Sequence, residues 1–190
     1  MTYPIFIYGH PVLRKVSEDI DKDYPDLQKI IDNLFETMYK SEGVGLAAPQ
    51  VGKSIRLFVI DGTPYKEDLP ELADFKKVFI NAHLTEKSGD LKAMTEGCLS
   101  IPNLREEVNR EARIRIEYFD RDWIFHDEIY EGYVARVIQH EYDHLDGILF
   151  TDRVTPLRKR LIRGKLNSIS KGKFEADYRT ILPGQKIKNL

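Results

Sequence analysis

The stretch Gln139-His140-Glu141-Tyr142-Asp143-His144-Leu145-Asp146-Gly147 carries two histidines four residues apart, with a glutamate directly after the first. Residues four apart lie on one face of an α-helix, so both imidazoles can point at the same position. This spacing is typical of a helix that binds a catalytic metal, where the glutamate handles the protons of a metal-bound water. A helix that carries two histidines by chance is the alternative, but the chain has only five histidines in all.

The segments on either side predict the rest of the fold. After Pro25, apolar residues recur at spacings of three and four from Leu27 to Met38, which predicts an amphipathic helix, and Gly43 is placed to end it in a left-handed conformation. A second helix is predicted to start at Thr155-Pro156. The segments predicted as strands are 55–60, 78–81, and the hairpin formed by 113–119 and 123–130.

The order of these elements is a helix, several short strands and then helices, without alternation of strand and helix. This order predicts the α+β fold class, with mostly antiparallel strands packed around a central metal-binding helix, an N-terminal amphipathic helix and a C-terminal helix. We expect residues 1–172 to form a single catalytic domain. Residues 61–77 are expected to form an exposed insertion, and residues 173–190 a mobile C-terminal tail.

Composition narrows the class of protein. The chain has 190 residues, of which 42% are hydrophobic, enough for a core in one domain. A formal net charge of -2 does not suggest a DNA-binding protein. The N-terminus does not have the pattern of a signal peptide, and no apolar run approaches the length of a membrane span, so we expect a cytoplasmic protein without a membrane segment.

A third metal ligand is needed, because a catalytic metal normally has three protein ligands and one open position. Phe150 stands where one extended form of the motif has a third histidine, and no acidic residue occurs between Asp152 and Glu175. An upstream ligand is therefore expected. Cys98 is the only cysteine and lies in a non-helical segment beside a glycine. A buried structural cysteine is the alternative for this residue.

Three segments together resemble the peptide deformylase family: Gly43-Val44-Gly45-Leu46-Ala47-Ala48-Pro49-Gln50, Glu96-Gly97-Cys98-Leu99-Ser100 and Gln139-His140-Glu141-Tyr142-Asp143-His144. They occur in the order of the family. The resemblance implies an enzyme that removes the formyl group from the N-terminal formylmethionine of newly synthesised polypeptides. It also implies one divalent metal ion per chain, Fe²⁺ in the native enzyme with Zn²⁺ or Ni²⁺ as substitutes, held by Cys98, His140 and His144.

The resemblance also implies roles for residues around the metal. Glu141 would be the general acid/base, and the Gln50 side-chain amide and the Leu99 backbone N–H would stabilise the oxyanion. Glu96 would pair with Arg110 behind the ligands, where Asp143 is a further candidate. On the predicted helix, substrate-binding residues are expected at Tyr133 and Val137, facing Val44 and Gly45 of the first segment, although ordinary core packing also explains the apolar helix positions.

Further partners and rival functions follow from the same residues. The C-terminal helix has a run of basic residues, which is either a solvated face or a contact with the ribosome. A metalloprotease-like peptide-bond hydrolase is the main alternative function. A cysteine hydrolase with Cys98 as nucleophile, and a catalytically inactive metal-binding or ribosome-associated protein, are two others. Both Glu141 and Gln50 speak against the inactive protein, since a structural metal site needs neither.

Overall fold

The computed structural model describes residues 1–67 and 70–185. Helices and strands both contribute to it, and the α+β class predicted from the sequence is confirmed. The helices are α1 (Leu27–Lys40), α2 (Gly132–Leu145), α3 (Phe150–Arg153) and α4 (Pro156–Ser170). The strands are β1 (Ile5–Phe6), β2 (Gly45–Ala47), β3 (Leu57–Asp61), β4 (Lys76–Cys98), β5 (Ile101–Phe119), β6 (Phe125–Glu131) and β7 (Thr180–Ile181). Short 3₁₀ turns cover Pro11–Arg14, Ala48–Val51, Thr63–Tyr65 and Pro70–Leu72.

The N-terminal helix α1 forms where the apolar spacing predicts it, and its apolar stripe is buried. The predicted cap at Gly43 is wrong. Glu42 is the left-handed residue, with φ 55°, while the Gly43 N–H donates to the Met38 carbonyl at 2.9 Å. In this pattern the second residue after the C-cap bonds back to a carbonyl of the last helical turn, and the C-cap of α1 is Ser41. Gly43 is instead suited to a close approach, since a Cβ there would lie 3.0 Å from Leu99 Cδ1.

One five-stranded antiparallel sheet has the order β2-β3-β4-β5-β6. The sequence indicates short strands, but β4 has 23 residues and β5 has 19. Their extended pairing leaves only Leu99–Ser100 between them, because Cys98 pairs with Ile101. The sheet therefore carries the cysteine to the end of a strand next to a tight connection.

The central helix α2 packs its apolar face on this sheet. Ala135, Ile138 and Leu145 are fully buried in a cluster with aromatic and aliphatic side chains of β3, β4 and β5. Burial of this face leaves the histidine-bearing face turned toward β2 and the end of β4. Within residues 1–67 and 70–185, no helix combines the length and apolar character required to cross a membrane.

The segment expected as an exposed insertion, 61–77, is partly buried. Asp61 is 2% exposed and Leu72 is fully buried, and the Glu71 carboxylate accepts a hydrogen bond from the Tyr133 N–H at 3.0 Å. A carboxylate in this place favours the start of α2, because the first N–H groups of a helix have no partner within the helix. Residues 68 and 69 of this segment lie outside the described part of the chain.

The C-terminal helix α4 begins as predicted, with the Thr155 hydroxyl accepting from the Arg158 N–H. Beyond it the expected mobile tail, 173–190, does not lie free over its described length. Strand β7 pairs in parallel with β1, Ile5 opposite Thr180 and Phe6 opposite Ile181. The last five residues, 186–190, lie outside the described residues, and the domain boundary at 172 stays a prediction.

Candidate active site

Three potential metal ligands meet between α2 and the end of β4. One ligand atom each from Cys98, His140 and His144 lies within 4.8 Å of the others. The two histidines come from successive turns of α2, and Cys98 Sγ is 3.4 Å from His144 Nε2. One thiolate and two imidazoles suit zinc or ferrous iron and leave a position open in a four-coordinate site. The donor set therefore fits a divalent metal.

The charge state of the cysteine agrees with this use. Burial alone would raise the pKa of the Cys98 thiol, but the charge of His144 and hydrogen bonds with His140 and His144 lower it to about 5. A thiolate rather than a thiol is the form that binds metals. The alternative of an inert buried cysteine does not account for two imidazoles at this distance.

His140 is held from behind by a carboxylate. Glu96 Oε2 lies 2.9 Å from His140 Nδ1, which leaves Nε2 on the side of Cys98. Glu96 in turn accepts from Arg110 at 2.7 and 2.9 Å, and Arg110 donates to Asp143 at 2.6 Å. Such a carboxylate–histidine arrangement sets the tautomer and ring orientation of a metal ligand.

The two buried carboxylates behind the histidines, Glu96 and Asp143, are each paired with positively charged side chains. Burial alone would raise the pKa of Glu96, but hydrogen bonds from Arg110 and His140 lower it far below the usual range of a carboxyl group. Burial would likewise raise the pKa of Asp143, and Arg153 and Arg110 lower it. Both carboxylates are therefore ionised beneath the histidines, although each is less than a tenth exposed.

Glu141 lies at the centre of the site with one free carboxylate oxygen. The residue is 5% exposed, and its Oε2 has no hydrogen-bond partner among the described residues. Burial raises the pKa of Glu141 to about 7. The same carboxylate lies against the backbone of Gly45, where a Cβ would come within 2.5 Å of Oε1. A buried carboxyl group that titrates near neutrality can both accept and donate a proton.

The first segment brings an amide beside the metal ligands. Gln50 is 2% exposed, and its Oε1 accepts from the Ala47 N–H at 2.9 Å. This contact directs Nε2 toward Ser100 Oγ at 3.3 Å and Cys98 Sγ at 3.4 Å. Leu99 follows Cys98 in the connection between β4 and β5. Two candidate N–H donors thus adjoin the ligand cluster.

A cavity of about 390 Å³ opens beside these groups. Its lining includes the four substrate-binding residues expected from the sequence, Val44, Gly45, Tyr133 and Val137, as well as His140 and Glu141. Val137 is only 8% exposed and packs in the core cluster beneath α2, and Val44 and Tyr133 contact that cluster. The core-packing and pocket explanations therefore both apply to these side chains.

Several residues of the site were not foreseen from the sequence. Arg136 donates to Glu96 Oε1 at 2.9 Å, and Arg153 pairs with Asp143. The first could have been found, because Arg136 stands four residues before His140 on the same helix face. Arg105 and Tyr178 also line the cavity, and no sequence spacing links them to the motifs.

Comparison with known proteins agrees with this geometry. A family model described as polypeptide deformylase matches residues 2–160. The peptide deformylase of Christiangramia forsetii is 53% identical, covering 98% of this chain and 98% of that protein. The peptide deformylase of Flavobacterium johnsoniae is 52% identical, covering 94% and 95%.

Solved structures show the same fold. The peptide deformylase from Thermus thermophilus superposes with a TM-score of 0.79 at 42% identity, covering 91% of this chain and 98% of that one. The Plasmodium falciparum peptide deformylase in complex with an inhibitor has a TM-score of 0.77 at 35% identity, covering 88% and 99%. These matches favour formyl removal over the metalloprotease alternative. The chain belongs to the polypeptide deformylase family, the metal-dependent enzymes that deformylate nascent polypeptides.

Proposed function

We propose that this chain deformylates the N-terminal formylmethionine of new polypeptides with a metal ion held by Cys98, His140 and His144 and with Glu141 as general acid/base. The observation that carries the proposal is the convergence of these three ligand atoms within 4.8 Å, next to the unpartnered oxygen of Glu141. A structural metal site has no need of an adjacent buried carboxyl group with a free oxygen.

The native metal is Fe²⁺ in this proposal, with Zn²⁺ or Ni²⁺ as substitutes. A thiolate with two imidazoles suits all three of these borderline ions. The ligand set therefore supports a metal of this class without selecting one of the three ions. When bound, the metal would act as a Lewis acid that lowers the pKa of a coordinated water molecule to about 7. The buried Glu96 carboxylate holds His140 for this purpose through its Nδ1.

Glu141 moves the proton of the reaction. Its carboxylate accepts the proton of the attacking water and delivers it to the nitrogen of the leaving amine, which is then released as the new N-terminus. A pKa of about 7 suits both halves of this transfer, and a placed acid/base of this kind contributes roughly 10²–10⁴-fold. The contact with Gly45 backbone limits where the carboxylate can lie.

Gln50 and Leu99 stabilise the oxyanion that forms from the formyl oxygen. Gln50 is suited to this because the Ala47 N–H holds its Oε1 and leaves Nε2 as the donor facing Cys98. The Leu99 backbone N–H is the second donor. One such donor is worth about 3–4 kcal/mol in the transition state.

The substrate lies in the cavity beside α2. Its methionine side chain contacts Tyr133, Val137 and Val44, which line the cavity. The extended peptide pairs with the backbone at Gly45, next to the strand edge of β2, since β2 is the terminal strand of the sheet. These contacts place the formyl group next to Glu141.

A second partner is the ribosome, which the protein contacts in the cytoplasm through a basic surface formed by α4 and the residues directly after it. The basic residues of this surface are Arg158, Lys159, Arg160, Arg163, Lys165, Lys171 and Lys173. Arg158 is already paired with Glu106 at 2.7 Å, so the remaining cations are the ones available for phosphates. Phosphate contacts make binding steeply salt-dependent. Ribosome co-sedimentation that does not change between about 50 and 200 mM salt, or is absent, would contradict this part of the proposal.

The activity is tested by formate release under anaerobic conditions from formyl-Met-Ala-Ser and from the same peptide without the formyl group. We expect formate from the formylated peptide with the wild type, and none above background with Glu141→Ala at unchanged metal content. Chelation should abolish the activity, whereas a cysteine hydrolase using Cys98 would continue. A wild type with its full metal complement that releases no formate would refute the proposal.

A further inference from the structure

The described part of the C-terminal segment, residues 173–185, returns to the active site although it lies beyond the family match. Gly172 turns the chain after α4 with φ +79°. Leu182 packs so closely against it that a Cβ on Gly172 would lie 2.8 Å from Leu182 Cδ1. Strand β7 then pairs with β1, and the Ile5 N–H donates to the Arg179 carbonyl at 2.8 Å. The segment between these two anchors passes over the Leu99–Ser100 connection.

Tyr178 is the residue of this segment that reaches the site. Its hydroxyl donates to the Leu99 carbonyl at 2.7 Å, and the residue lines the cavity. Tyr178 and Leu99 also both pack against the core cluster that contains the buried side chains of α1. A second contact lies nearby, because Asn103 Nδ2 donates to the Glu175 carbonyl at 3.1 Å. The segment is thus bonded both to the connection that follows Cys98 and to the start of β5.

Three polar groups of the Leu99–Ser100 connection, its two carbonyls and the Ser100 hydroxyl, have partners outside the connection. Besides the Tyr178 contact with the Leu99 carbonyl, the Tyr8 N–H donates to the Ser100 carbonyl at 2.8 Å, and Gln50 Nε2 reaches Ser100 Oγ at 3.3 Å. Two residues between paired strands have few internal hydrogen bonds. The orientation of their peptide groups therefore depends on these outside partners.

We propose that Tyr178 is a positioning residue for the reaction: its hydroxyl fixes the Leu99–Ser100 peptide and thereby keeps the Leu99 N–H directed at the developing oxyanion. The inference rests on the oxyanion role proposed above for Leu99. It follows because the carbonyl that Tyr178 holds and the N–H used for catalysis belong to the same residue, separated by its two backbone dihedral angles. A displacement of such a donor by about 1 Å is costly even when the fold is unchanged.

The alternative is that Tyr178 only anchors the C-terminal segment. In that case its hydroxyl contributes to stability, as one neutral hydrogen bond does, and has no effect on the turnover of folded protein. Tyr3→Phe is a matched control for this alternative. Tyr3 is also a tyrosine near a terminus, and its hydroxyl accepts a hydrogen bond from Asn33 Nδ2 at 3.2 Å on the side of α1.

The experiment compares wild type, Tyr178→Phe and Tyr3→Phe as metal-loaded full-length proteins. We expect Tyr178→Phe to lower kcat about three- to tenfold with KM within about twofold, which corresponds to the loss of one neutral hydrogen bond. Hydrogen exchange of the Leu99 and Ser100 amides should be faster in Tyr178→Phe alone. Tyr3→Phe should keep wild-type kcat, with a thermal midpoint within a few degrees of that of Tyr178→Phe.

Either of two kinetic results would overturn the inference: an unchanged kcat in Tyr178→Phe, or equal losses of kcat in both variants. Unchanged exchange at Leu99 would also overturn it, because the peptide would then not depend on the hydroxyl. A wild type that releases no formate would instead contradict the proposed function. Exchange at Leu99 can still be measured in that protein, so the two failures are distinguishable.

Discussion

Gly45→Ala is expected to impair catalysis by displacing Glu141, without removing any functional group. The φ angle of Gly45 does not lie in the left-handed region, so alanine can adopt it without backbone strain. A Cβ at this position would lie 2.5 Å from Glu141 Oε1 and 2.8 Å from its Cγ and Cδ. The contact with Oε1 is about 0.9 Å shorter than the 3.4 Å at which ordinary van der Waals contact begins.

The size of the effect follows from this displacement. The Glu141 side chain gives way more readily than the backbone of β2, so its carboxylate moves by nearly 1 Å. A misplacement of about 1 Å costs on the order of 10²-fold in rate, or about 2.7 kcal/mol in the barrier. The free energy of unfolding falls by less than this. Overpacking costs about 1–3 kcal/mol, but alanine also restricts the unfolded chain, which offsets about 0.4–1 kcal/mol of that cost.

Steady-state formate release from formyl-Met-Ala-Ser measures kcat and KM, and metal analysis checks that the ligand set is intact. Gly164→Ala is the matched control, because a Cβ at that exposed position of α4 meets nothing within 4 Å. The control should keep wild-type kcat and gain about 0.5–1 kcal/mol of stability. A Gly45→Ala protein with wild-type kcat and a changed KM would refute the reasoning, since Gly45 would then act only by pairing with the substrate.

Three further changes test the surroundings of the site. Gln50→Leu should lower kcat about 10²–10³-fold at unchanged metal content, because it removes a candidate oxyanion donor but no metal ligand; unchanged turnover would exclude Gln50 from the mechanism. Arg110→Met should lower the free energy of unfolding in urea by about 3 kcal/mol, because two buried carboxylates lose a partner; a loss below about 1 kcal/mol would contradict this. Burial alone would raise the pKa of Glu128, but Lys77 and two tyrosine hydroxyls lower it to about 2 from 4.5. The ionised Glu128 therefore contributes its full stabilisation of the fold above about pH 4.5, and this contribution is lost as the pH falls toward 2. The free energy of unfolding in urea should accordingly fall less steeply with acid in Glu128→Gln than in wild type. Equal pH dependence in the two proteins would argue against the lowered pKa.

Local features of the molecule were predictable from residue spacing. The α1 stripe, the Thr155 start of α4 and the pairing of 113–119 with the following strand all depend on contacts within one element or between neighbours in the chain. The placement of His140 and His144 on one face is of the same kind, because about 3.6 residues per helical turn brings residues four apart together in any fold. The fold class followed from the order of these elements.

The assembly of the site depended on contacts between distant segments. Cys98 meets His144 across 46 residues of chain because β4 and β5 pair over most of their length and stop at Leu99. The resemblance between motifs indicated that these segments belong together, but not that Arg136 completes the pairing of Glu96. The need for glycine at position 43 is of the same kind, since a Cβ there would lie 3.0 Å from Leu99, which comes from another part of the chain.

Tyr178 marks the limit of sequence reasoning most clearly. Nothing in the spacing of residues 173–185 links them to the motifs, and from sequence they are expected to be a mobile tail. Their position follows from the pairing of β7 with β1, which joins the two ends of the chain beside the Leu99–Ser100 connection. The periodicity of a helix determines which residues share its face, but only the packing of separate elements against one another determines which faces meet.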